Sequence, residues 1–470
     1  MSFTRTKIIC TVGPSTQSIS TLRKLHKEGM NVVRINMSHA NHKSALSIIS
    51  KVNKINSSLK DGFTPIAVLL DTQGPEIRTG DTTMPLDLVT GDEVTLTVRD
   101  QVDVETSSIK INYKGLISSV NPGSKITVDN GLINFNVLSK DKDTLLCKVI
   151  DGGQIGSKRH VNLPGVRVNL PSITSKDLKD IHFGIKHNVD FIALSFVRSA
   201  EDLGKLRNII NNQKSNARII AKIENQEGLD NINEICKASD GVMVARGDLG
   251  IETSLADLPN IQRKIMYATA KWGKRSIVAT HLLESMIENP TPTRAEVTDI
   301  ANAIYEGADA IMLSGETSIG KYPLECVQFL KSIALKTEKF KTLGYEKNLM
   351  SDSDWQHLGV AANQLAQSVQ ADGIIVVTRT GYTANIVSNA KPFKMPIFCF
   401  TNNMSTLSHL SLVGSTHAYF IKSISNHNKT IKMISKSLKS YFNSKEPLKL
   451  VMISGIFSEE HSEAIQLINI

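Results

Sequence analysis

Cysteine is scarce and scattered in this 470-residue chain: Cys10, Cys147, Cys236, Cys326 and Cys399, none spaced as CxxC. An odd, dispersed set excludes a disulfide framework and a thiolate zinc site, and suits a reducing compartment. Aromatic residues make up only 5% and no dense Lys/Arg block occurs, so base-stacking platforms for nucleic acid are missing despite a net charge of +9. Small anionic substrates account for that charge equally well. No apolar run approaches the length that spans a bilayer. The opening MSFTRTKIICTVG passes directly into an apolar strand-like run, without the basic region, hydrophobic core and cleavage site of a signal peptide. These absences lead us to expect a cytoplasmic protein with neither a membrane nor a nucleic-acid partner.

What is present is an ordinary globular balance, 41% hydrophobic and 21% charged, over a length that predicts two to four domains. Eight short apolar runs recur: TKIICTVG (6–13), NVVRINMS (31–38), PIAVLLD (65–71), DFIALSFV (190–197), ARIIAKIEN (217–225), DGVMVARGD (240–248), RSIVATHLL (275–283) and DAIMLSGET (309–317). Helix-like stretches such as LADLPNIQRKIMYATAKWG separate most of them. Near-continuous apolar strands alternating with helices predict a parallel sheet covered by helices, and eight units is the number that closes a (β/α)8 TIM barrel.

The third and fourth units are interrupted by residues 72–167, where DEVTLTV, SSIKINY, SKITVDN and TLLCKVI alternate in polarity between NPG, DNG and DGG turns. That predicts an inserted β-barrel-like domain on two chain crossings, able to swing over the barrel mouth as a lid. KSIALKTEKFKTLGYEK, after Glu316, reads as a solvated helix and linker. GIIVVT, PIFCF, HAYFI and KLVMISG then predict a C-terminal open α/β domain. The expected division is barrel 1–71, lid 72–167, barrel 168–345 and C-terminal regulatory domain 346–470.

Functional side chains of such barrels sit where strands end and βα loops begin. The strand ends here carry Arg34, Asn36, Ser38 and His39; Asp71 and Thr72, then Glu76 and Arg78; Lys222 and Glu224; Arg246, Gly247 and Asp248; Thr280; and SGET. Taken singly, each is explained as a helix cap or a surface salt bridge. Polar groups at nearly every strand end are not required by a fold alone. Glu224 and Asp248, on adjacent strands, suit one shared hard divalent cation. Lys222 beside them suits negative charge developing on an enolate or a transferring phosphoryl group. ARGDLG offers a glycine-permitted helix start for a carboxylate, and Arg34 and Arg78 offer forked donors for phosphate. Asn36, Ser38, Asp71 and Thr72 offer only oxygen ligands, as a monovalent site would need.

Together KIICTVGPST, RINMSHA, LLDTQGPEIRTG, VNLPG, KIENQEGL, MVARGDLG, NPTPTRAEVTDIANAI and DAIMLSGETSIGKYP resemble the pyruvate kinase family, in order along essentially the whole chain. The resemblance implies transfer of the phosphoryl group of phosphoenolpyruvate to ADP, giving pyruvate and ATP, with Mg²⁺ (or Mn²⁺) and K⁺, in a homotetramer. It assigns Lys222 to transition-state stabilisation, Glu224 and Asp248 to Mg²⁺, and Arg34 to substrate phosphate. Gly247, Asp248 and Thr280 would meet the substrate near its carboxylate, with Thr280 close to the carbon that is protonated. Asn36, Ser38, Asp71 and Thr72 match the K⁺ ligands, and Glu76 matches the acidic residue that accompanies K⁺ dependence. Asn36, His39, Arg78 and Arg159 match nucleotide-contacting positions.

The chain departs from that pattern at Gln73, where lysine is common, at Arg159-His160, where Lys-Gly is usual, and at His281, where glutamine is usual. Thr378, Arg379, Thr380, Gly381, Tyr382 and Thr383 match a loop that holds effector phosphate in relatives, implying a sugar-phosphate or nucleotide effector. An ordinary turn capping the next helix accounts for the same loop equally well. Glu459 and Glu460, in SGIFSEEHSEA, argue against a fructose 1,6-bisphosphate site and leave a monophosphate effector open. Two other functions compete with the kinase: a barrel lyase acting on a pyruvate-derived acid with the same metal carboxylates, and a binding protein that has lost catalysis. The lid, the monovalent site and Lys222 favour the kinase over the first. Retention of every proposed charged group favours it over the second.

Overall fold

The computed structural model describes residues 4–59, 64–82, 84–99, 108–129, 131–166, 168–350, 353–422, 424, 427–443, 446–454 and 464–470. Eight strands, β1 (Lys7–Thr11), β2 (Met30–Asn36), β3 (Ala67–Asp71), β4 (Phe191–Leu194), β5 (Arg218–Ile223), β6 (Gly241–Ala245), β7 (Arg275–Ala279) and β8 (Ala310–Leu313), close into a barrel. Every neighbouring pair is parallel. Alternation along each strand explains the apolar runs. Ile9, Val32, Leu69, Ile220, Met243, Ile277 and Met312 fill the interior, while Ile8, Cys10, Val33 and Leu70 pack outward into the helical layer. All eight expected strands are present.

β3 and β4 pair directly although the lid lies between them in sequence. The lid is a mixed seven-stranded sheet in the order Ile77–Arg78, His160–Asn162, Lys125–Val128, Ile133–Lys140, Thr144–Asp151, Glu93–Thr97, Ser108–Lys110. It has its own core, built on residues such as Val94, Leu96, Phe135, Val137 and Leu145. A C-terminal α/β unit follows, with strand order Thr416–Phe420, Ile397–Thr401, Gly373–Val377, Lys449–Ser454, Ala464–Asn469. The last strand, Ala464–Asn469, is antiparallel to its neighbour and half exposed, and it is not among the expected strands.

One expectation is corrected. The stretch read as solvated belongs in part to the helix Pro323–Thr337, which buries Cys326, Val327, Leu330, Ile333 and Ala334 against the barrel. Its lysines advertise the outer face only; the apolar stripe at helical spacing faces inward. The C-terminal unit closes the barrel floor: Leu412 joins the interior cluster, and the Lys7 ammonium donates to the Thr416 carbonyl at 2.6 Å. Among the described residues no helix is long and apolar enough to cross a membrane.

Candidate active site

The C-terminal ends of β2 to β7 converge on one buried charge cluster. Lys222, near the end of β5, points its ammonium at Ser195 Oγ (2.6 Å), Glu224 Oε1 (3.0 Å) and Asp71 Oδ1 (3.1 Å). Arg34 of β2 donates through Nε to Asp71 Oδ2 (2.7 Å) and through a terminal nitrogen to Thr11 Oγ1 (3.0 Å). Asp71 is thus shared between two cations. Burial alone would raise its pKa, but Lys222 and Arg34 overcome this and hold it below the usual value. Burial would likewise lower the Lys222 pKa, but Asp71 and Glu224 raise it instead, so the ammonium stays charged at neutral pH.

Glu224 follows β5, and its Oε2 accepts from the Phe196 backbone N–H at 2.6 Å. Burial pushes its carboxyl up to about 7, opposed by Lys222. Asp248 lies in the first turn of the helix Arg246–Glu252 after β6, half-buried, and desolvation raises its pKa too, with Lys222 opposing. Two neighbouring carboxyls that raise one another are resolved by a shared proton or by a cation. That is the donor set a hard divalent ion needs, so Mg²⁺ fits here. Asn36 and Asp71 are register partners at the ends of β2 and β3, and Ser38 and Thr72 follow each. Their all-oxygen chemistry fits a hard monovalent ion.

Thr280 follows β7 with a left-handed backbone (φ 68°), as does His281 (φ 53°). Arg246 holds this unusual pair: it chelates Asp299 (2.8 and 2.7 Å) and donates to the Ala279 and His281 carbonyls, both at 3.2 Å, and to that of Thr280. Thr280 Oγ1 in turn accepts from the Gly247 N–H at 2.9 Å. Gly247, Asp248 and Thr280 therefore line one corner, next to Lys222 and Glu224.

The structure brings Lys222, Glu224, Asp248, Arg34, Asp71, Gly247 and Thr280 together at the barrel mouth. The nucleotide candidates are more dispersed. Arg78 binds Glu76 Oε2 (2.7 Å) and the Lys158 carbonyl (2.7 Å), while Arg159 reaches Asp129 at 3.4 Å. His39 is exposed on the barrel loop after β2, and no hydrogen bond or ion pair joins it to either arginine among the described residues. Gln73 donates to Glu76 Oε2 at 2.8 Å, the same oxygen Arg78 uses. His160 sits 4.0 Å from Asp248, and burial lowers its pKa.

In the effector candidate, Thr378 Oγ1 accepts from the Gly381 N–H (3.0 Å) and Thr380 Oγ1 from the Tyr382 N–H (3.4 Å) ahead of the helix Tyr382–Asn389. Both hydroxyls thus close the turn itself. Arg379 lies between them and Thr383 follows in the helix, and Glu459 and Glu460 lie outside the described residues. Ser195, Phe196, Thr11 and Asp299 escaped sequence reasoning. For Ser195 and Phe196 a signal existed, since they end β4 just as Asp71 and Thr72 end β3.

The chain matches the family model described as pyruvate kinase, barrel domain, over residues 3–327, and that described as pyruvate kinase, alpha/beta domain, over residues 356–467. It belongs to the pyruvate kinase family. Pyruvate kinase of Dictyostelium discoideum is 39% identical over 469 residues, covering 97% of this chain and 92% of that protein. Plastidial pyruvate kinase 2 of Arabidopsis thaliana is 43% identical over 416 residues, 87% of this chain and 70% of the relative. The crystal structure of a pyruvate kinase from Cryptosporidium parvum superposes with a TM-score of 0.94 at 32% identity, covering 99% of this chain and 96% of that one.

Proposed function

We propose that the chain transfers the phosphoryl group of phosphoenolpyruvate to ADP, giving pyruvate and ATP, as the last step of glycolysis and with Mg²⁺ (or Mn²⁺) and K⁺. The observation that carries this is the buried Lys222 ammonium held against Glu224, Asp71 and Ser195 at the barrel mouth. Phosphoryl transfer asks little covalent chemistry of a protein and much positioning and charge stabilisation. Lys222 stabilises charge on the transferring group and the enolate left behind. Arg34, anchored on Asp71 and Thr11, orients the substrate phosphate. Gly247 and Thr280 meet the substrate carboxylate, with Thr280 beside the carbon that takes a proton. Glu224 and Asp248 would hold Mg²⁺, which when bound neutralises phosphate and enolate oxygens. Asn36, Ser38, Asp71 and Thr72 would hold K⁺. Asn36, His39, Arg78 and Arg159 supply the nucleotide side, the lysine-to-glutamine departure at Gln73 leaving Arg78 and Arg159 as its lid cations.

We further assign the chain to the cytoplasm, to a homotetramer, and to the domain limits 1–71, 72–167, 168–345 and 346–470, with residues 378–383 as the place for a monophosphorylated effector, a sugar phosphate or nucleotide. A pyruvate-formation assay with phosphoenolpyruvate, ADP and Mg²⁺, run with and without K⁺, tests the core of this. Turnover that requires K⁺ is expected. Equal rates without K⁺ would refute the monovalent site, and no pyruvate at all would refute the reaction.

A further inference from the structure

Four polar residues stand in one cross-strand row on the lid sheet. Asp151 is the register partner of Asn134, Asn134 of Thr127, and Thr127 of Asn162. Register partners on adjacent strands present their side chains to the same face, so the row is continuous. Three of its members are almost sealed from solvent, Thr127 at 2% exposed, Asn162 at 3% and Asn134 at 7%, while Asp151 at the end of the row is exposed. Part of the row is satisfied. Asn134 Nδ2 donates to Asp151 Oδ2 (2.8 Å) and the Gly131 carbonyl (2.9 Å), and Asn162 Nδ2 donates across to Glu252 Oε1 on the barrel (2.8 Å). The remainder is not. Thr127 Oγ1, Asn134 Oδ1 and Asn162 Oδ1 have no hydrogen-bond partner among the described residues.

Buried polar atoms without partners cost stability, and three in one row ask for an explanation. Thr127 and Asn134 line a cavity of about 570 Å³ whose opposite wall carries Gly247, Asp248 and His281, with Lys125 also on the lid side. Gly247 and Asp248 are the substrate corner of the proposed reaction, and His281 adjoins Thr280. Thr127 and Asn134 therefore border the acid end of the cleft, while Asn162 lines a neighbouring cavity with Phe196 and Glu252.

We propose that Thr127 and Asn134 are the lid's contact residues for the phosphorylated acid, an inference that rests on the reaction proposed above. Phosphoenolpyruvate carries only acceptor oxygens at neutral pH, which dictates how each residue engages it. The Thr127 hydroxyl donates directly to a substrate oxygen. Asn134 Oδ1, an acceptor, takes one hydrogen of a water whose other hydrogen bonds the substrate. Asn162, tied to Glu252, holds the row against the helix Arg246–Glu252. The lid thereby reads the acid as well as covering it.

Thr127→Val tests this, because it removes the hydroxyl while keeping shape and loses no hydrogen bond found in the free enzyme. The expected result is a rise in KM for phosphoenolpyruvate of about two- to tenfold, the range of one hydrogen bond. KM for ADP stays within twofold, and the melting temperature is unchanged or higher. The stabilisation that phosphoenolpyruvate and Mg²⁺ give without nucleotide should shrink in parallel, and Thr127→Ser should restore both readouts. An unchanged KM with raised stability would show an idle buried hydroxyl and overturn the inference. So would a fall in stability with both KM values and kcat drifting together. Wild-type enzyme that turns over normally confines either failure to this inference; wild-type enzyme without turnover removes the reaction and the inference with it.

Discussion

Lys222 is buried yet charged, because Asp71 and Glu224 together outweigh the desolvation of its ammonium. Such a group contributes by charge rather than by proton transfer. Lys222→Met keeps the side chain's length and removes its cation, so kcat should fall by about a thousandfold, as for loss of a preorganised electrostatic donor. Glu224 and Asp248 remain, so Mn²⁺ titration followed by electron paramagnetic resonance should find a site of near-normal affinity. A near-normal turnover would reject the assigned role. Arg246 shows the opposite case: a strand-end cation whose donors are consumed by Asp299 and by the carbonyls of Ala279, Thr280 and His281. It holds two left-handed residues in place.

The two chain crossings into the lid are tied down differently, and the outgoing tie touches the site. On the return crossing, Arg198 donates to the Val168 and Leu170 carbonyls at 2.9 and 2.8 Å. On the outgoing crossing, Gly74 has φ 79° and its N–H donates to Asp177 at 3.0 Å. A Cβ on Gly74 would stand 2.8 Å from both the Ser195 Cβ and the Phe196 ring. Those residues position Lys222 and Glu224, so the strain passes directly into the cluster. Gly74→Ala should cost about 1–3 kcal/mol in stability from the left-handed backbone. It should also lower kcat by about a hundredfold through sub-ångström displacement of Ser195 and Phe196. Denaturant melts and steady-state rates read the two effects separately; an unaltered kcat would show that the crossing and the cluster move independently.

The barrel and the C-terminal unit are joined by a buried ionic latch at the N-terminal ends of β7 and β8. Asp309 accepts from Lys391 (2.6 Å), Arg275 (3.3 Å) and the Ser276 N–H (3.0 Å), and Arg275 also reaches Ser388 Oγ at 3.0 Å. Burial would raise the Asp309 pKa, but Arg275 and Lys391 lower it below the ordinary aspartate value. A carboxyl lowered on folding adds stability that is complete above its unfolded pKa of about 3.9 and is lost as pH falls through the folded value. Asp309→Asn leaves two buried cations short of a counter-charge and should destabilise the fold by about 3–5 kcal/mol near neutral pH. Its stability should also lose part of the acid dependence below about pH 4. Parallel stability–pH curves for variant and wild type would refute the latch as an ionic one.

The eight barrel strands, the lid's alternation and the polar groups at strand ends were legible in the chain because each is a local pattern. Apolar periodicity reports burial within a few residues, and Lys222, Glu224 and Asp248 sit within one or two elements of each other. The helix Pro323–Thr337 misled because its lysines are local too, while the surface it covers is not. Ser195 beside Lys222, Asp299 beneath Arg246, the Asp309 latch and the row through Asn162, Thr127 and Asn134 depend on contacts across many intervening residues. Sheet register and domain docking alone create them, since a one-residue slip would turn Thr127 to the opposite face of the lid. Composition and spacing supplied the chemical groups; closure of the barrel and packing of the lid chose which of them meet.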